Sequence, residues 1–223
     1  MPAAMFDDEQ VKVFDWKIIV IVAVIYSMNA FLLEGASALF PHQERITIVV
    51  PAFASVLFGP VIGALGSGFG NLLLDIFEKM VLSNEGLAAR HVLGFFRNLI
   101  GAAVTGIYSR RIVMHEDDTI LTRDNLLLVV QNTFASVLGL AVVTGVIIGY
   151  GRWLLGLVGL DTYGFQDGVR LAGLIITNNG FVLLVSMIPL QLAFMVVERH
   201  RIAAYQRRLR KFLRLERVSA PSH

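Results

Sequence analysis

Asn71, Asp75 and Glu78 stand at i, i+4 and i+7 in an otherwise apolar stretch, so they share one helical face. A little further on, Arg97 and Asn98 interrupt a second apolar stretch. A carboxamide both donates and accepts hydrogen bonds, and a guanidinium presents a fixed fork that matches a carboxylate or phosphate. Inside a membrane span such groups are costly and face a partner or a cavity. Asp75 and Arg97 lie at matched depth, each roughly 8–9 Å below the outer end of its stretch at the helical rise. That spacing predicts either a structural ion pair or a shared wall of a ligand cavity.

A third apolar stretch carries Thr177, Asn178 and Asn179 near its middle. Two adjacent carboxamides cannot face the same way on a helix. One is expected to bond a neighbouring helix and the other to face a cavity. The connection over 150–168 holds Trp153, Asp161, Tyr163 and Phe165, a composition suited to an interfacial lid. The candidate substrate-binding residues are therefore Asp75, Arg97, Asn98, Asn178, Asn179, Tyr163 and Asp161. Gln131 and Asn132 read as interhelical glue.

Catalysis finds little support. His42, His91, His115 and His200 fall in connections or at stretch ends, and none pairs with a carboxylate at metal-ligand spacing. The chain has no cysteine, which excludes disulfides and thiol chemistry. Gly66-Ser-Gly68-Phe-Gly70 lacks dinucleotide-loop spacing, and no Walker A sequence occurs. These small residues instead predict close helix packing, as at Gly66/Gly70 and Ala64/Gly68. The expectation is a protein that is not an enzyme and needs no cofactor.

The elements that must position these residues are membrane helices. The chain is 56% hydrophobic and only 16% charged, with a mean hydropathy of +0.68. Soluble domains carry about 25% charge. A span needs roughly 20 apolar residues. The apolar windows predict helices over 16–33, 46–58, 61–81, 92–112, 125–149 and 169–197, with a basic amphipathic tail over 198–223. The block 46–77 is too long for one crossing, and Phe58-Gly59-Pro60 is read as a turn inside it. Acidic Asp7, Asp8 and Glu9 argue against a signal peptide, so the first helix is expected to stay.

Eight Lys/Arg residues lie between Arg199 and Arg217. Directly after an apolar span such a run marks a cytoplasmic, lipid-facing flank rather than a nucleic-acid site. With both termini inside, inner segments hold thirteen basic residues against five outside. The fold class expected is an all-α, single-domain, multi-pass cell-membrane protein of six transmembrane helices, N-in and C-in, with a basic cytoplasmic C-terminal helix.

The run from Pro51 through Phe58-Gly59-Pro60 to Gly63 and Gly66 resembles the substrate-binding S components of energy-coupling factor (ECF) transporters. There a short second helix ends in a Phe-Gly-Pro turn and a glycine-rich third helix carries a later polar residue, here Asn71 or Asp75. Gly94-Phe-Phe-Arg97-Asn98, followed by Gly101, Gly106 and Arg110-Arg111, resembles the family's fourth helix. The resemblance implies a subunit of an ABC-type importer that captures a vitamin or other micronutrient in an outward pocket. It implies delivery through a separate membrane coupling subunit and two ATPase subunits. The family's first helix docks through an AxxxA pattern, and Ala23-xxx-Ser27 stands in that place here. A second expectation, drawn from the same small helical layout, is a non-transport scaffold or sensor.

Overall fold

The computed structural model describes residues 16–35, 47–82, 86–112 and 120–219, with side chains over 16–32, 47–81, 86–112 and 120–200. It is all-helical over these residues. The elements are α1 (Trp16–Gly35), α2 (Val49–Phe58), α3 (Pro60–Ile76), α4 (Ala89–Tyr108), α5 (Arg123–Val137), α6 (Thr144–Leu157) and α7 (Phe165–Ser219). A π turn, Phe77–Leu82, extends α3, and another, Leu138–Val143, joins α5 to α6 into one rod. The expected connections over 34–45 and 113–123 lie largely outside the described residues.

The chain reverses between α2 and α3. Gly59 has φ +85° and ψ 179°, a conformation open essentially to glycine alone. Pro60 follows at the first helical position, where its missing N–H costs nothing. Four residues either side of the turn, Ser55 and Gly63 meet backbone to backbone: a Cβ on Gly63 would lie 2.6 Å from Ser55 Cα. Residues eight apart along one helix cannot approach like this. The turn itself packs on Gly106 of α4, where a Cβ would fall 2.5 Å from Pro60 Cα.

Glycine contacts set the remaining layout. Gly66 and Gly70 of α3 take Val22 and Tyr26 of α1. Gly101 of α4 abuts Thr144 and the backbone of Gly139. Gly145 and Gly149 of α6 receive Ala172 and Ile176 of α7. Among the described residues two apolar clusters result. One gathers Ala52, Val56, Ala102, Leu140, Leu183 and Met187; the other holds Ile19, Val22, Ala54 and Ile62. α2 contributes to both and wedges the bundle.

Large apolar side chains cover much of the surface, among them Ile21, Leu73, Phe134 and Phe181. Among the described residues, three helices are long and apolar enough to cross a membrane: Pro60–Val81, Arg123–Leu157 and Phe165–His200. An outer coat of this kind is stable in lipid and is a liability in water.

Several expected boundaries move. The helix expected over 125–149 continues to Leu157, because Gly149 and Gly151 are contact glycines against Gly168 and Leu93 rather than breaks. The connection expected over 150–168 shrinks to 158–164. α6 ends where Gly159 adopts φ +75° and Leu160 N–H bonds the Leu155 carbonyl, a left-handed cap. α4 starts at Ala89 and stops at Tyr108, since Ser109 is extended. The last helix starts at Phe165, and the basic tail is its direct continuation to Ser219.

Candidate functional site

The polar residues of α1, α3 and α4 meet in one buried network. Asn98 Nδ2 donates to Asn71 Oδ1 at 2.8 Å and to Tyr26 Oη at 3.1 Å. Asn71 Nδ2 donates in turn to Asp75 Oδ2 at 2.7 Å, along the i, i+4 face of α3. Thr47, just before α2, also hydrogen-bonds the Tyr26 hydroxyl. Gly94 lets the helices close: a Cβ there would sit 3.0 Å from Asn71 Nδ2. Each carboxamide proton and oxygen used here replaces a bond to water.

Asp75 and Arg97 do not take the form expected of them. The carboxylate of Asp75 is bonded by Asn71, whereas Arg97 Nε is buried with no hydrogen-bond partner. Asp75 enters the network through Asn71. Asn98 belongs to the helix-joining network.

Asn178 and Asn179 divide as the helical period requires. Asn179 Nδ2 donates to the Leu140 carbonyl at 3.1 Å, inside the π turn. That carbonyl also takes the Thr144 hydroxyl at 2.7 Å. Asn178 lies on the other side, and its Nδ2 is buried without a partner. Asn179 is thus a structural clamp, and Asn178 borders a cavity.

Asp161 is likewise withdrawn from ligand contact. Arg152 holds it with two bonds, Nε to Oδ2 at 2.7 Å and Nη2 to Oδ1 at 3.1 Å, and Thr162 N–H adds a third at 2.7 Å. The Arg152 hydrogen bonds hold the Asp161 carboxyl below the usual aspartate range, against a smaller opposing effect of burial. The Arg152 guanidinium lies 3.7 Å over the Tyr163 ring. Trp153 and Phe165 pack edge to face at 5.3 Å beside this clamp. The short connection is therefore pinned to the end of α6.

The cavity runs along the first turns of α7. It measures about 700 Å³ and is lined by Thr162, Tyr163, Asp167, Arg170, Leu171, Gly173, Leu174, Thr177 and Asn178. Volumes of this order hold drug-sized ligands. Of the expected ligand residues, Tyr163 and Asn178 are here; Asp75, Arg97, Asn98, Asn179 and Asp161 do not line it. Arg170 and Gly173 were not singled out from sequence. The signal was the spacing 167, 170, 174, 177, which keeps one helical face.

Ala23 and Ser27 need correction as partner contacts. Both are buried in the α1–α3 packing, where Ser27 Oγ donates to the Gly70 carbonyl at 2.6 Å. The exposed face of α1 carries Val20, Ile21, Val24, Ile25 and Met28 instead. Gln131 and Asn132 do join elements: Asn132 accepts from Arg110 N–H at 2.7 Å and donates to the Arg110 carbonyl at 2.9 Å.

No protein-family model matches this chain, and neither the curated proteins nor the solved structures contain a significant match.

Proposed function

We propose that this chain is the substrate-capture subunit of an ECF-type importer. It crosses the cell membrane six times, keeps both termini inside, and holds a small micronutrient in the groove along α7. A separate membrane coupling subunit and two ATPase subunits complete the transporter.

The observation that carries the proposal is Gly173. Among the helical glycines with described surroundings, the others have neighbours within 4 Å of a Cβ, whereas a Cβ on Gly173 would meet nothing within 4 Å. A glycine weakens a helix unless something needs the missing side chain. Here the beneficiary is open volume beside Arg170, Thr177 and Asn178. The antiparallel course of α3, α4, the α5–α6 rod and α7 places this groove at the end of the bundle opposite the Gly59 turn. With the basic tail inside, that end faces out. Because Ala23 and Ser27 are used internally, the coupling subunit meets another apolar surface of the bundle.

Purification from native membranes tests the assembly. Recovery of the tagged chain with a membrane coupling protein and two ATPases is the expected outcome. Recovery with cell-wall or kinase components in their place sinks the transport reading.

The unbroken course of α7 from the groove to the basic end at Ser219 favours a second reading, a ligand-responsive sensor. One helix then links the occupied site to the inner membrane surface. Ligand-dependent recovery of a kinase would support it.

A further inference from the structure

We infer that the α7 groove selects a small, elongated organic anion, with its negative group at Arg170 and a carbonyl-type acceptor at Asn178. This rests on the capture reading above and assigns the chemical class of its substrate.

Arg170 is exposed on the groove wall, and no hydrogen bond or ion pair engages it among the described residues. Neither nearby carboxylate pairs with Arg170. Asp161 is held by Arg152, and Asp167 Oδ2 accepts the Gly164 N–H at 3.2 Å, reaching back to cap the start of α7. Asp167 keeps its charge, so the wall carries one charge of each sign, and Arg170 is the one whose donors have no partner among the described residues. A guanidinium without a partner is a fork for a carboxylate.

At the far end, Asn178 has a buried Nδ2 without an acceptor. The terminal amide torsion is broad, so a turn about χ2 presents this donor to the groove. Thr177 already spends its proton on the Gly173 carbonyl at 2.9 Å. Between the two ends lie Leu171, Leu174 and the bare Cα of Gly173. Eight residues of helix separate Arg170 from Asn178, about 12 Å at the helical rise. That span fits an anion, an apolar or ring body, and an acceptor.

A matched probe set tests the assignment on the full chain in phosphatidylcholine nanodiscs by equilibrium dialysis. The probes are 4-acetamidobenzoate, its neutral carboxamide and the corresponding benzylamine. The acid is expected to bind saturably, at least tenfold more tightly than the carboxamide, with the amine weakest. Arg170→Gln should bring the acid down to the level of the carboxamide. Gly173→Phe, whose Cβ meets nothing within 4 Å, puts a ring into the groove and should remove acid and carboxamide alike at an unreduced melting temperature. Equal binding of acid and carboxamide, tighter binding of the amine, full acid affinity in Arg170→Gln, or no saturable binding of the acid each overturns the anion assignment. If both neutral and anionic probes bind equally yet vanish in Gly173→Phe, the groove stands and only its selectivity fails. Binding untouched by Gly173→Phe removes the groove itself.

Discussion

Asn179 reaches from α7 to the π turn and donates to the carbonyl of Leu140 at 3.1 Å. In this turn the Thr144 N–H goes to the carbonyls of Gly139 and Ala141, and the Asn179 amide and the Thr144 hydroxyl both donate to that of Leu140. The neighbouring Asn178 has no such task, and its side chain borders the groove.

The two asparagines should therefore separate by assay. Asn179→Ala is expected to cost about 1 kcal/mol, the scale of an interhelical hydrogen bond in lipid. Asn178→Ala should leave stability within about 0.5 kcal/mol and weaken ligand binding instead. Unfolding in a denaturing-detergent titration, paired with ligand titration, checks both.

The Arg152–Asp161 clamp should give a pH signature. Its carboxyl is held below the ordinary aspartate value by the Arg152 hydrogen bonds. A depressed carboxyl stabilises the fold above its unfolded pKa, near 3.9, and that stability is lost as pH falls through the lower folded value. Asp161→Asn is expected to cost about 1–2 kcal/mol at neutral pH, as a part-exposed, charge-assisted pair. Melting curves from pH 7 downward should show the gap between the two proteins closing below about pH 4. A gap that persists unchanged into acid would exclude the charge as its source.

Asn98 joins α4 to α1 and α3 through two bonds from one nitrogen. Asn98→Leu strands Asn71 Oδ1 and leaves Tyr26 Oη with Thr47 alone, and should cost about 1–2 kcal/mol. Tyr26→Phe removes the bonds to Asn98 and Thr47 but leaves Asn98 on Asn71, and should cost less than Asn98→Leu. If the double variant costs the sum of the two singles, the network is not cooperative.

The reversal at Gly59 depends on its backbone conformation alone, since nothing lies within 4 Å of a Cβ placed there. Gly59→Ala should cost about 1–3 kcal/mol in strain. Gly106→Leu acts differently, by driving a side chain into the turn from α4. Accessibility of tags on both termini reports the consequence for topology: both should remain on one side.

Much of this arrangement was legible in the residues. Gly59-Pro60 specifies a reversal through local sterics, which need no knowledge of neighbours. The division between Asn178 and Asn179 follows from the helical period. Other features depend on what lies opposite. Gly149 and Gly151 look like breaks in sequence, and only Gly168, Ala172 and Leu93 make them contact points. Ala23 and Ser27 carry the same small-residue pattern whether they meet α3 or a partner. Asp161 pairs with Arg152 because α6 continues to Leu157, which the glycine pattern concealed. Open space leaves no mark in a sequence, so Gly173 resembled every packing glycine until its surroundings were seen.

The groove is the centre of the account, and Gly173→Phe tests it most directly. Wild type and variant are purified side by side from cells grown in rich medium, denatured, and the released small molecules identified by mass spectrometry. The expected result is one organic compound released near stoichiometrically from wild type and missing from the variant, with equal yields of folded protein. The same compound released in equal amount from both would contradict a binding site on α7.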